Sequence, residues 1–194
     1  MARTGRRIPG VPEPDPGVFG SGLVDEAARL DAAQPDVDWS VPPPGAVRGV
    51  FEAPSGTLAT LAMGNPDAPR VLLIPGATGS KEDFALMLPQ LAEAGYYALS
   101  CDIAGQYESA GAGPEHLVPP RRHYDYALFT DDLLAMLESG GGPAHVVGYS
   151  FAAIVAQLAF KRRPELFRTL TLLSCPPEPG NSFRGVQRIG RFSG

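Results

Sequence analysis

"HVVGYSFAAIVAQLAF", residues 145–160, places a polar hydroxyl where two buried elements meet. An apolar, β-branched run leads to Gly148, and an unbroken apolar run suited to a helix begins after Ser150. Between them, Gly148-Tyr149-Ser150-Phe151-Ala152 fits the pattern G-x-S-x-[GA]. Such a turn needs small residues two before and two after the serine, because strand and helix approach closely and the serine takes a strained conformation. The tightness lifts Oγ above the sheet and aims the helix N-terminus at it, which makes the Phe151 N–H a natural oxyanion donor. The same residues also suit a serine that only caps the following helix. Nucleophile or cap is the question on which the functional reading turns.

The flanking sequence supplies the context. "AVRGVFEA" and "TLATLAMG", separated by Pro54-Ser55-Gly56, read as a hairpin. "RVLLIPG" is a short apolar run ended by Pro-Gly, as expected for a strand buried on both faces. "SKEDFALMLPQLAEAG" reads as an amphipathic helix, with Ser80 as cap, Asp83 three residues on and Gly95 as terminator. Pro89 inside it should kink or shorten it. "YYALSCD" is the next buried strand, and "YDYALFTDDLLAMLESGG" a helix with Leu128, Leu133, Leu134 and Leu137 on one face. "AHVVGYS", "FAAIVAQLAFKRRP" and "TLTLLSC" follow as strand, helix and strand.

A hairpin followed by alternating strands and helices implies right-handed βαβ crossovers and a three-layer α/β/α sandwich around a mostly parallel sheet. Ligands bind such sheets at the carboxyl ends of their strands, where Ser150 falls. A second glycine-rich turn, "IPGATGS" at 74–80, follows another buried strand. Its exposed backbone makes the Ala77 N–H a candidate second oxyanion donor, although glycine is also usual in an ordinary strand-to-helix turn. A phosphate loop is excluded, because no G-K-[ST] follows in register.

Before this region, residues 1–45 form a proline- and glycine-rich extension in which only "SGLVDEAARLDAAQ" suits a short helix, with Ser21 or Asp25 near its start. Residues 46–194 carry the α/β pattern. The chain has 194 residues, 44% apolar and 19% charged, with net charge −5 and scattered charges, so no nucleic-acid partner is expected. No run reaches the ~18 apolar residues of a membrane span, and the basic start has no apolar segment behind it. A cytoplasmic protein without membrane association is expected. Cys101 and Cys175 end apolar runs and read as buried thiols.

Three motifs, "VLLIPGATGS", "CDIAGQYES" and "HVVGYSFAA", taken in this order and spacing, resemble the α/β-hydrolase superfamily over residues 46–176. The first resembles the strand and oxyanion loop, with Pro75-Gly76 where many members carry His-Gly. The second resembles the loop D-x-x-G-x-G-x-S, with Asp102, Gly105 and Ser109 kept and Gln106 in place of the expected second-glycine region. The third resembles the nucleophile elbow, with Ala152 where glycine is commoner. A serine there implies ester, thioester or amide chemistry and argues against the dehalogenase and epoxide-hydrolase branches, which use aspartate.

The resemblance also implies a triad ordered serine, acid, histidine. Only 44 residues follow Ser150, so the fold is expected to be truncated after the sixth strand, without the usual acid and histidine. His145 opens the elbow strand, at the opposite end of the sheet from Ser150. His116 and His123 lie at the correct end, but the resemblance gives them no role. Glu178 is a loop carboxylate with no histidine to orient. "TLTLLSC" would then be an exposed edge suited to self-association.

These features lead to a serine hydrolase of carboxylic esters or related acyl compounds, weak as this chain stands. Ser150 is the expected nucleophile, and Phe151 and Ala77 the backbone donors. No metal or organic cofactor is implied. The alternative is a non-catalytic relative that binds a small acyl ligand or a partner chain. A dinucleotide-binding domain is disfavoured, since "PGATGS" stands where G-x-G-x-x-G is required.

Overall fold

The computed structural model describes residues 41–175 and, before them, positions 26, 28–30, 32, 33 and 38. Residues 1–38 and 39–194 separate into two compact units. In the first, positions 26, 28–30 and 32 are helical, and the Arg29 guanidinium donates to Glu26 Oε1 at 2.7 Å. The expected caps Ser21 and Asp25 lie outside the described residues, as does Glu178.

The second unit is built on six strands: β1 (Val47–Ala53), β2 (Gly56–Met63), β3 (Arg70–Ile74), β4 (Tyr97–Cys101), β5 (Ala144–Tyr149) and β6 (Phe167–Leu173). Their order across the sheet is β1-β2-β4-β3-β5-β6. β1 and β2 form the expected hairpin, β2 pairs antiparallel with β4, and β3 to β6 run parallel. The helices are α1 (Met87–Glu93), α2 (Tyr126–Ser139) and α3 (Phe151–Arg162).

Alternation along β3 shows why the sheet carries two cores. Leu72 and Ile74 face one side, with the α2 residues Leu128, Leu133, Leu134 and Leu137 and the α3 residues Val155, Ala156 and Ala159. Val71 and Leu73 face the other, with Phe84, Leu88 and Ala98. A strand whose successive side chains enter opposite cores must be apolar throughout, and "VLLI" is. All four leucines expected on one face of α2 are buried. Arg70, at the start of β3, donates to the Met136, Leu137 and Gly142 carbonyls at 3.1, 2.7 and 3.1 Å, which gives the C-terminal end of α2 the partners it lacks internally.

Two expectations need correction. The helix expected over 80–95 is split into a 3₁₀ turn at Lys81–Phe84 and the short α1. Proline has no N–H and is tolerated only in a first helical turn, and restarting the helix at Met87 puts Pro89 there. Ser80 does cap the 3₁₀ turn, accepting from the Glu82 N–H at 3.2 Å. Cys175 is half-buried rather than buried, whereas Cys101 is buried as expected. Cys175 lies just beyond β6, a strand mostly exposed along its length, so little packs over it.

Candidate active site

Register places the site. Ile74 of β3 pairs with Gly148 of β5, and Tyr149 pairs with Leu173 of β6, so Ser150 stands at the carboxyl ends of three adjacent parallel strands. Ser150 adopts φ 52°, ψ −112°, a conformation that side-chain-bearing residues rarely take. Its N–H donates to the Leu173 carbonyl at 2.8 Å, which ties the turn to β6. A Cβ on Gly148 would stand 2.6 Å from the Ala152 carbonyl oxygen, so glycine is required where strand and helix approach. Ala152 is buried and lines a cavity of about 20 Å³ together with Ile74, Cys101, Ile103, Asp132 and Val155.

Ser150 occupies the N-cap position of α3, yet its hydroxyl makes no capping hydrogen bond. Oγ has no partner among the described residues. The N–H of Phe151, in the first turn of α3, has no acceptor among them either. Phe151 itself is buried, stacked on Tyr126 with ring centroids 5.4 Å apart and edge-on to Phe129 at 5.1 Å, which fixes where α3 starts.

The 74–80 turn lies against this elbow. A Cβ on Gly76 would be 3.2 Å from Tyr149 Cδ1 and 3.5 Å from Ser150 Cβ. The Gly79 N–H donates to the Gly76 carbonyl at 3.1 Å, closing the turn. In a trans peptide the N–H points opposite to the C=O, so the Ala77 N–H is directed out of the turn. It too lacks an acceptor among the described residues.

A sequence model described as "Alpha/beta hydrolase family" matches residues 71–194. The chain belongs to the alpha/beta hydrolase family. No curated protein matches the chain. Among solved structures, this family member is similar to an epoxide hydrolase from an endophytic Streptomyces, at 26% identity and TM-score 0.60, over 76% of this chain and 43% of the other. The thioesterase domain from the curacin biosynthetic pathway matches at 20% identity and TM-score 0.61, over 76% of this chain and 53% of that one. A hydrolase from Pseudomonas aeruginosa matches at 22% identity and TM-score 0.62, over 74% and 52%. This alpha/beta hydrolase chain thus spans about half the length of these solved structures.

None of the three histidines of this family member hydrogen-bonds Ser150. His145 has Nδ1 2.8 Å from Thr169 Oγ1 and its ring edge-on to Tyr96, at the amino end of β5. His116 sits by the β1–β2 hairpin, with Nε2 3.0 Å from the Gly111 carbonyl and Cδ2 3.6 Å from a Cβ built on Gly56. His123 is exposed, with no hydrogen bond or ion pair among the described residues. Among the described residues no group of three His, Cys, Asp or Glu side chains could hold a metal ion. None of their helices is long and apolar enough to cross a membrane.

The motif after β4 is an anchor for the turn. Asp102, fully buried, accepts from the Lys81 N–H at 2.7 Å, the Lys81 ammonium at 3.0 Å and the Glu108 N–H at 3.2 Å. Ser109 Oγ donates to the Asp102 carbonyl at 3.0 Å and accepts from the Ala59 N–H at 2.8 Å. Gly105 has φ +81°, and a Cβ there would be 2.6 Å from the Tyr124 hydroxyl. Lys81 was not visible as a site residue in the sequence, because nothing in "GSKEDF" separates a buried lysine from a solvated one. Its 3.3 Å approach to Glu108 and Arg48's 2.8 Å bond to the same carboxylate extend the ionic cluster to β1. The Lys81 hydrogen bond, with the Arg48 charge beside it, holds the Glu108 carboxyl below its ordinary value. Burial pushes the Cys101 thiol up to about 12, so this thiol is inert.

Proposed function

We propose that this chain is a serine hydrolase of carboxylic esters or related acyl compounds, with Ser150 as nucleophile. The carrying observation is that Ser150 holds a strained backbone at a helix N-cap while its hydroxyl does no capping. A cap alone does not account for that conformation, because capping serines sit in relaxed β-region backbone and bond the helix. In the reaction, Oγ attacks the acyl carbon while the Ala77 and Phe151 N–H groups receive the charge developing on the carbonyl oxygen. The tetrahedral species collapses, the alcohol or thiol leaves with a proton, and water then releases the acid from the acyl-serine. A serine rather than aspartate at the elbow favours acyl transfer over the epoxide opening named for one solved relative, and the thioesterase relative fits the same acyl class.

The proton on Oγ needs a base, and none of the three histidines is hydrogen-bonded to it. Activity of this chain is therefore expected at the level left by binding and oxyanion stabilisation, roughly 10³–10⁴ over water. That Ser150 Oγ has no histidine bonded to it favours a second reading, a non-catalytic binder of a small acyl ligand. Hydrolysis of p-nitrophenyl acetate by the chain and by Ser150→Ala separates the two. Turnover lost in the variant supports the hydrolase, whereas equal rates support the binder. We also propose self-association through the outer edge of β6, which has no strand partner among the described residues. Its test is a mass that grows with protein concentration in light scattering.

A further inference from the structure

The turn that carries Ala77 is held from outside. Gly76 C=O is engaged within the turn by Gly79. The next two carbonyls are taken by adjacent residues of the loop after β4. The Gln106 side-chain amide donates to the Ala77 carbonyl, and the Tyr107 hydroxyl donates to the Thr78 carbonyl at 2.7 Å. Two residues past the turn, Lys81 is fastened to Asp102 through both backbone and side chain, and the Ser100 hydroxyl holds its carbonyl at 2.8 Å.

Tyr107 gains little else from its position. It is 60% exposed, so burial does not hold it, and it adopts φ 44°, a conformation costly for an aromatic residue. What that conformation achieves is the reach of its hydroxyl to Thr78. The loop it stands on is rigid: Gly105 N–H bonds the Ser109 carbonyl at 3.0 Å, Gln106 N–H bonds Ile103 at 3.1 Å, and Ser109 is fully buried. Gln106 and Tyr107 are therefore two donors projected from a fixed base onto two consecutive carbonyls beside the nucleophile.

We propose that Gln106 and Tyr107 are positioning residues that clamp the 76–79 turn and so hold the Ala77 N–H ready for the oxyanion. This rests on the reading of Ser150 as nucleophile. The clamp gives Tyr107 a purpose at the position where the second glycine of the pattern D-x-x-G-x-G-x-S falls when it is laid over Asp102–Ser109: a glycine would take the positive φ freely but has no side chain with which to hold Thr78. Removing either donor frees a peptide plane next to the one that carries the Ala77 N–H, either Ala77–Thr78 or Thr78–Gly79, so the turn that seats this N–H loosens and the oxyanion donor has to be ordered during the reaction itself.

The test uses the full chain with Gln106→Met and Tyr107→Phe, which keep side-chain bulk and remove only the donors. Amide resonances of residues 77–79 and their hydrogen exchange report on the turn, and the rate of Ser150 phosphonylation by a fluorophosphonate reports on the oxyanion site. The expected result is faster exchange at 77–79 and about tenfold slower phosphonylation in each variant, the worth of one hydrogen bond. The probe concentration giving half-maximal rate should not change. Unchanged exchange at 77–79 overturns the clamp. Loosened amides with an unchanged phosphonylation rate overturn its oxyanion role. If wild-type Ser150 takes no phosphonyl group, the nucleophile reading fails and the oxyanion role with it, while the exchange data still decide whether the clamp exists.

Discussion

The Lys81 ammonium lies 3.0 Å from Asp102 Oδ2, and the two side chains are 1% and 0% exposed. This ion pair joins the exit of the 76–79 turn to the loop after β4. Breaking it from one side leaves a buried charge without its partner, which costs about 3–5 kcal/mol. Lys81→Met and Asp102→Asn are each expected to lower urea-unfolding stability by that order, and the double variant by clearly less than their sum. Additive losses would show that the charges do not act as a pair. Burial alone would depress the Lys81 pKa, but its bonds to Asp102 and Glu82 outweigh that and raise it above 10.5. Its contribution is thus complete below pH 10.5 and fades as pH rises through the higher folded value.

Asp132 ties α2 to the hairpin turn, accepting from the Ser55 N–H at 3.0 Å and the Ser55 hydroxyl at 2.6 Å. Burial raises its pKa from 3.8 to about 6, against the lowering effect of the Ser55 bonds. The folded chain therefore binds more protons than the unfolded one between these values, and stability falls as pH rises through them. The shift corresponds to about 3 kcal/mol. Thermal unfolding from pH 4 to 7 should show Asp132→Asn gaining on the wild type by up to that amount, whatever constant offset the lost Ser55 bond introduces. A pH-independent difference would rule out this carboxylate as the source.

Gly148→Ala forces a methyl to within 2.6 Å of the Ala152 carbonyl oxygen, and backbone cannot yield cheaply. The expected loss is about 1–3 kcal/mol, with Ser150 displaced from the strand ends. Denaturant unfolding and a structure of the variant check both parts.

Ser150→Gly relieves a backbone at φ 52°, ψ −112°. Strain of this kind costs of order 1–3 kcal/mol, and glycine's extra unfolded-state freedom returns about 0.5–1 kcal/mol of that. The glycine variant should be more stable than Ser150→Ala by about 1 kcal/mol in calorimetry.

Much of this was readable from sequence because it depends on local periodicity. Apolar runs marked β3, β4 and β5, and leucine spacing marked α2, since each pattern records which faces enter a core. The tight turn at Ser150 and the glycine turn at 74–80 were readable because each leaves a local signature. The ties between the loops were not. Lys81 and Asp102 are 21 residues apart, and Gln106 and Ala77 are 29 apart. Such bonds exist only once β3 and β4 are adjacent. The break before α1 was half-legible, as Pro89 signalled a disruption without fixing where the helix would restart.

The central claim is that Ser150 is a nucleophile served by the Ala77 and Phe151 N–H groups, and intact-mass analysis of the full chain after fluorophosphonate treatment tests it most directly. The account predicts one added phosphonyl group, mapped to the peptide containing Ser150 and absent from a folded Ser150→Ala variant. A folded wild-type chain that takes no adduct after prolonged treatment, or an adduct that persists in Ser150→Ala, would contradict it.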